Sequence, residues 1–84
     1  MENEYYVRVK DLEVGKRYII PKVSGRTMEG NWKQCAEGEI FKVLKVETDI
    51  YDKHKNFRRL TLENSDGTII NVQLISAYTK TELV

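Results

Sequence analysis

The chain has one histidine and one cysteine, so His54 and Cys35 set the ceiling on its nucleophilic and acid–base chemistry. A general base needs a reacting group within reach and a third group to orient it. His54 lies between Lys53 and Lys55, and neither can serve. Cys35 has that one histidine as its sole candidate base, and free cysteine is commonly a small buried hydrophobe. The carboxylates, Glu37 and Glu39 included, show no spacing that suggests an acid–base pair. Two soft ligands cannot hold zinc, and no glycine loop for phosphate is present. The sequence predicts a chain that is not an enzyme, with no catalytic residue, metal site or cofactor.

Binding is the remaining chemistry. The densest cluster of cations and aromatics is Lys53, His54, Lys55, Arg58 and Arg59, interleaved with Tyr51 and Phe57. Basic side chains contact phosphates and aromatic rings stack on bases. A nucleic-acid surface would use Lys53, Lys55, Phe57, Arg58 and Arg59. Asp49 and Asp52 dilute that patch, and its plainer reading is a solvated loop. The whole chain carries 14 basic and 13 acidic residues, net +1. A dedicated nucleic-acid protein is usually clearly basic, so such binding is expected to be weak. A second basic group, Lys22, Arg26 and Lys33, surrounds the stretch Ser24–Gly38.

That stretch holds the single tryptophan, Trp32. Tryptophan is enriched among the residues that dominate interfaces; the plainer alternative is a ring capping one end of a small core. With Tyr51 and Tyr78 it makes the predicted partner-binding set. A non-catalytic protein-interaction module, regulatory or inhibitory, is the leading expectation. A weak nucleic-acid-binding barrel is the alternative.

These residues need a scaffold, and the pattern from Glu39 to Leu74 provides it. Glu39–Asp49 reads as a strand, Ile50–Asn56 as a polar loop, Phe57–Asn64 as a strand and Thr68–Leu74 as its partner. Ser65-Asp66-Gly67 joins the last two. Asp-Gly between β-rich runs predicts a type I′ hairpin turn, with φ > 0 at both central residues. Leu60 and Leu62 on one side, and Ile70, Val72 and Leu74 on the other, alternate with polar residues, so each strand buries one face. In Glu39–Asp49, Lys42 and Lys45 have opposite parity. Either a β-bulge shifts the phase or the strand bends between sheets.

Before this unit, residues 1–9 read as an edge strand or an arm. Leu12 and Val14 pin a turn to the core, and Arg17–Val23 forms a strand that Pro21 confines to an edge or ends. Ser24–Gly38 reads as a long loop, although Met28, Trp32, Cys35 and Ala36 also fit a short helical turn. Ile75–Tyr78 fits a 3₁₀ turn, and Thr79–Val84 a last edge strand or a frayed tail. The predicted core is Leu12, Val14, Ile19, Ile40, Val43, Leu44, Val46, Leu60, Leu62, Ile70, Val72 and Leu74.

This order of elements resembles the Src-homology-three-like barrel: first strand, long loop, long strand, polar loop, tight hairpin, 3₁₀ turn and closing strand. Glu37-Gly38-Glu39-Ile40 followed by Val43-Leu44 resembles that fold's entry into its second strand, and Tyr78 sits where its 3₁₀ tyrosine would be. The resemblance implies an all-β domain, a single small five-stranded barrel spanning residues 1–84. It does not imply polyproline recognition, because Arg17-Tyr18-Ile19-Ile20 and Phe57-Arg58-Arg59 depart from the family's peptide-binding motifs.

The 84 residues fit one domain, and one so small has a thin core. With one cysteine it has no internal disulfide, so the core must suffice or a partner subunit, a second copy included, must add burial. No apolar run approaches the ~20 residues of a membrane span. The acidic start, Met1-Glu2-Asn3-Glu4, lacks a signal-peptide layout. A reducing, cytoplasmic setting is expected. The abundance of Lys, Glu, Asn, Ile and Tyr resembles that of proteins from AT-rich bacterial or phage genomes.

Overall fold

Eight strands in one antiparallel sheet make up the computed structural model, which describes residues 6–48 and 51–84. They are β1 (Tyr6–Arg8), β2 (Arg17–Ile19), β3 (Ser24–Thr27), β4 (Trp32–Gln34), β5 (Ile40–Thr48), β6 (Phe57–Asn64), β7 (Ile69–Ser76) and β8 (Lys80–Leu83). The order across the sheet is β1-β8-β2-β5-β6-β7-β3-β4. The all-β expectation holds; five strands and a closed barrel do not. β1 and β4 end the sheet without pairing to each other. Among the described residues no helix is long and apolar enough to cross a membrane.

The three additional strands come from the segment read as an edge strand or an arm, where β1 is indeed an edge strand, and from the segment read as a loop. β1 pairs with β8. The stretch Ser24–Gly38 holds β3 and β4, paired as a hairpin, and not a helical turn. Met28 and Trp32 are exposed while Cys35 is buried, so the helical spacing presents no common face. Gly30, at φ 86°, turns the chain. Thr27 then accepts from the Gly30 N–H at 2.9 Å and donates its own N–H to Asn31 at 2.8 Å. β2 stops at Ile19, ahead of the turn at Pro21 and Lys22.

The β6–β7 hairpin forms as read, with a different turn. Gly67 alone has φ > 0, at 82°; Asp66 does not. The Gly67 N–H bonds the Asn64 carbonyl at 3.0 Å, closing a type I turn that ends in a left-handed glycine, the three-residue hairpin loop. The Asn64 side chain does part of this work, its Oδ1 accepting from the N–H groups of Asp66 and Thr68 at 3.0 and 2.9 Å.

Two irregularities then decide which side chains face inward. In β5, Val43 pairs with Leu62 but Lys45 pairs with Thr61. Leu44 is therefore extra, the bulge that the parity of Lys42 and Lys45 predicts. In β7, Ile70 and Val72 pair with Leu62 and Leu60, but Arg58 pairs with Ile75. One extra residue lies between Val72 and Ile75, so parity flips: Leu74 is turned out, 67% exposed, and Ile75 packs on the core.

The core is one cluster built around Tyr18, Ile20, Phe41, Val43, Leu60, Leu62, Ile70 and Val72, with Val9, Val23 and Cys35 joining from beside the two ends of the sheet. A single sheet can gather residues from both ends only by coiling on itself. Against the predicted core, Val14, Ile40 and Leu74 are exposed, and Ile19, Leu44 and Val46 are half-buried, Val46 packed against the core. The Tyr18-Ile19-Ile20 run is apolar at both parities, so the sequence does not say that Tyr18 and Ile20 point in. Val14 lies at the tip of a turn held instead by buried Leu12 and by the Tyr18 hydroxyl, which accepts the Glu13 N–H at 3.1 Å.

The last elements also differ. β7 runs to Ser76, and a turn closed by Thr79 N–H on the Ser76 carbonyl at 3.2 Å replaces the 3₁₀ turn expected at Ile75–Tyr78. β8 is neither edge nor tail, since β1 and β2 flank it. Expectations on residues 1–5, Asp49 and Ile50 lie outside the described residues.

Candidate functional site

The β3–β4 hairpin is seated on β7 through a contact that only glycine permits. A Cβ on Gly25 would clash with the Asn71 carbonyl oxygen, and would lie 2.8 Å from its carbonyl carbon and 2.9 Å from Ile70 Cγ2. Real Cβ atoms do not come so near. With glycine there, Arg26 pairs with Asn71 and Thr27 with Ile70.

The hairpin register then sets Arg26 opposite Trp32, on the outward face shared with Asn71 and Thr61. The Arg26 guanidinium stands 5.9 Å from the centre of the Trp32 ring, a cation–π contact. Its Nη1 also donates to the Gly30 carbonyl at 3.1 Å, which fixes the guanidinium to the hairpin tip. Trp32 is thus oriented yet 61% exposed.

Among the described residues, β4 has β3 on one side and no strand on the other. In an antiparallel ladder, hydrogen-bonded pairs recur every second residue. Thr27 bonds Asn31, and Cys35 N–H bonds the Val23 carbonyl at 2.9 Å. Lys33, opposite Gly25, therefore spends its backbone groups on β3, and those of Trp32 and Gln34 point away from the sheet.

Beside Trp32 the outward face is concave. A groove of about 370 Å³ is lined chiefly by Arg26, Thr61, Asn71, Gln73, Glu47 and Arg59. Its floor is polar: the Thr61 hydroxyl donates to Asn71 Oδ1 at 3.2 Å. Glu47 sits between two cations, with Lys45 at 3.2 Å and Arg59 at 3.7 Å.

The predicted partner-binding residues divide. Tyr51, 87% exposed, lies in the β5–β6 loop. Tyr78 lies in the β7–β8 turn, with Lys10 Nζ 6.0 Å from its ring and Arg8 Nη1 bonded to its carbonyl at 2.7 Å. That turn is tied to the loop by Ala77 N–H on the Asn56 carbonyl at 2.7 Å, so Tyr51 and Tyr78 belong to one end of the sheet. Trp32 does not join them. Its row crosses β7 at Asn71, five residues before Ser76, roughly 17 Å of strand away.

The predicted nucleic-acid cluster also divides. Arg58 and Arg59 are successive in β6 and take opposite faces. Arg58 Nη1 donates to the carbonyls of Lys55 and Phe57 at 2.6 and 3.1 Å, bracing the loop, while Arg59 faces Glu47. Lys53 and Lys55 are exposed in the loop, and Phe57 is exposed at the start of β6. Lys55 holds φ 54°.

Asp52 organises this loop, accepting from the N–H groups of Phe57 and His54 at 3.0 and 3.2 Å. Desolvation pushes its carboxyl up. The backbone N–H groups of Phe57, His54, Asn56 and Lys55 together outweigh that and hold it below the usual aspartate value. His54 is exposed. The buried Cys35 thiol is pushed up, by desolvation first and by the Glu39 carboxylate second, the opposite of an activated nucleophile. No three histidines, cysteines or carboxylates among the described residues are grouped to hold a metal.

Sequence reasoning names Trp32 but misses its pairing with Arg26 and the groove beside it. The missed signal is the glycine of the three-residue loop Met28-Glu29-Gly30 between two short runs, a hairpin sign. Compared with protein-family models, curated proteins and solved structures, the chain matches none, so the site rests on its geometry.

Proposed function

We propose that this chain is a small non-catalytic binding module, regulatory or inhibitory in role, that docks a protein partner around Trp32. The supporting observation is an oriented, solvent-facing tryptophan on a sheet edge. Buried aromatic anchors carry most of the energy of a typical interface, and Trp32, held in place by Arg26 and open to solvent, is suited to become one. The free, buried Cys35 fits the cytoplasmic setting proposed with this role.

The neighbour order β8-β2-β5-β6-β7 within the sheet is compatible with the resemblance to the Src-homology-three-like barrel. β3 and β4 occupy the long connection and β1 is added beyond β8. This supports reading the coil as an open, extended form of that layout.

The test is capture of partners from an extract of the source cells on the tagged chain, then measured affinity for the purified partner. Trp32→Ala should weaken that affinity at least tenfold. An unchanged affinity would refute Trp32 as the anchor.

Nucleic-acid binding is the second reading, supported by Arg26 and Arg59 lining one groove whose single carboxylate, Glu47, is also paired with Lys45. Lys53, Lys55 and Phe57 would extend it from the loop. Anisotropy with labelled single-stranded and duplex oligonucleotides tests it. Replacing each cation that neutralises a phosphate should flatten log affinity against log salt by about 0.7–0.9. No binding at low salt removes this reading.

A further inference from the structure

We propose that the groove beside Trp32 holds a run of single-stranded nucleic acid, its phosphates on Arg26 and Arg59 and its bases stacked on Trp32 and Phe57; this rests on the nucleic-acid reading above and deepens it. The hydrogen-bonding capacity left in the groove is mostly donor. Arg26 spends Nη1 on the Gly30 carbonyl and stands over the Trp32 ring, which leaves its Nε and Nη2 to donate. Arg59 Nη2 is 3.7 Å from Glu47, an ion pair too long to be a hydrogen bond. Asn71 Oδ1 already accepts the Thr61 hydroxyl, so Asn71 adds an NH₂ donor. Two forked guanidiniums with an amide donor between them suit phosphate oxygens.

The aromatic rings select a single strand. Alternation along β6 puts Phe57 on the face of Arg59 and Thr61, and Phe57 is 41% exposed. The pairs Trp32–Arg26, Arg26–Asn71 and Asn71–Thr61 put Trp32 on that same outward face. An exposed ring therefore stands on each side of a cationic groove, the combination by which single strands are held. A duplex offers the same phosphates, but its base faces are covered by their neighbours. A lone nucleotide is too short. Trp32 and Thr61 lie three strand spacings apart, roughly 14 Å, and Phe57 is four residues further along β6. The nearby carboxylates among the described residues are outnumbered and engaged. Glu47 lies between Lys45 and Arg59. Asp52 is bonded to the N–H groups of Phe57 and His54 in a loop that also carries Lys53 and Lys55. Glu29 and Glu63 line other hollows.

The probes are labelled decathymidylate and decauridylate, the duplex of decathymidylate with decadeoxyadenylate, and an abasic strand with the same number of phosphates. Anisotropy at low salt gives affinities, and unlabelled strands report on the emission of Trp32, the single tryptophan. At least one of the two single strands, whether DNA or RNA, should bind at least tenfold tighter than the duplex and the abasic strand, and should quench Trp32. The abasic comparison leaves this chain unaltered. Trp32→Ala and Phe57→Ala should each weaken binding about fivefold or more. Arg59→Gln should lower the slope of log affinity against log salt by about 0.7. Lys80→Gln removes a cation in β8, three strands from β6, and should change neither affinity nor slope. The inference is overturned if the abasic strand or the duplex binds as tightly, if Trp32 emission is unmoved, or if Phe57→Ala has no effect. Hexaglutamate displacing the strand as well as another oligonucleotide does would make the occupant an acidic peptide and overturn it too. If duplex and abasic strands bind as tightly while Arg59→Gln still flattens the slope, the stacking falls and the nucleic-acid reading stands. If nothing binds at low salt, both fall.

Discussion

Gly25→Ala should be the most damaging single-methyl change in this chain. The added Cβ meets the backbone of Asn71 and the Ile70 side chain, and backbone cannot rotate away as a side chain can. Overpacking of this kind costs about 1–3 kcal/mol. The alternative is for β3 to back off β7, which gives up the pairs Arg26–Asn71 and Thr27–Ile70, and a net hydrogen bond is worth about 1 kcal/mol. Either route leads to about 2–3 kcal/mol, a large share of the roughly 4–13 kcal/mol available to a chain of this size. In a 60–100-residue domain 1 kcal/mol moves Tm by about 4–8 °C, so a fall of about 8–24 °C is expected. Thermal unfolding followed by far-UV circular dichroism measures the total. Emission from Trp32, the single tryptophan, reports the hairpin itself. Gly30→Ala is the control. Gly30 has φ 86° and nothing within 4 Å of an added Cβ, so only the left-handed backbone is penalised, about 1–2 kcal/mol. If Gly25→Ala unfolds within about 0.5 kcal/mol of the parent, or later than Gly30→Ala, the close seating of β3 on β7 is wrong.

Leu62→Ala, at a fully buried position, should cost roughly 2–4 kcal/mol, whereas Leu74→Ala should stay within about 0.5 kcal/mol; urea unfolding of the pair checks the β7 phase shift, and equal losses would contradict it. Asp52→Asn should flatten the acid limb of stability. Because the folded carboxyl is held below its unfolded value of about 3.9, its contribution is complete above that pH and disappears as pH falls through the folded value. Unfolding curves between pH 5 and 2 that coincide in shape for parent and variant would refute the Asp52 cap on the β5–β6 loop.

The legible part of this fold is the part whose signals are local. Leu60, Leu62, Ile70 and Val72 alternate cleanly about a turn containing glycine, and Lys42 and Lys45 betray the β5 bulge because a bulge must reverse parity. The phase shift in β7 leaves no such trace. Gln73 and Leu74 continue the alternation, and only their pairing opposite Arg59 shows that one residue is extra. The hairpin of β3 and β4 is obscured by a competing period, since Met28, Trp32, Cys35 and Ala36 fit a helix as well. Gly30 argues against that helix by about 1 kcal/mol, too little to decide alone. The site is half visible for the same reason: Trp32 stands out by type, but Arg26 becomes its neighbour only through the register of a hairpin, and Asn71 and Thr61 only through strands distant in sequence.

The two readings of Trp32, core cap and exposed anchor, predict different thermodynamics for one substitution. A tryptophan sealing the core would cost about 3–5 kcal/mol on truncation to alanine, enough to threaten folding. At 61% exposed, with Arg26 over its ring at 5.9 Å, its contribution to the free chain is smaller. An exposed cation–π contact is worth about 0.5–1 kcal/mol, and the buried remainder of the ring adds little to a strand that already ends the sheet. Trp32→Ala should therefore lower the urea-unfolding free energy by about 0.5–1.5 kcal/mol with an unchanged m-value, while the affinity for a partner falls at least tenfold. A loss above about 3 kcal/mol would return the residue to the core. Separation of the two effects would be the argument for docking: a side chain that matters little to the free fold and greatly to a complex is placed where the second surface arrives.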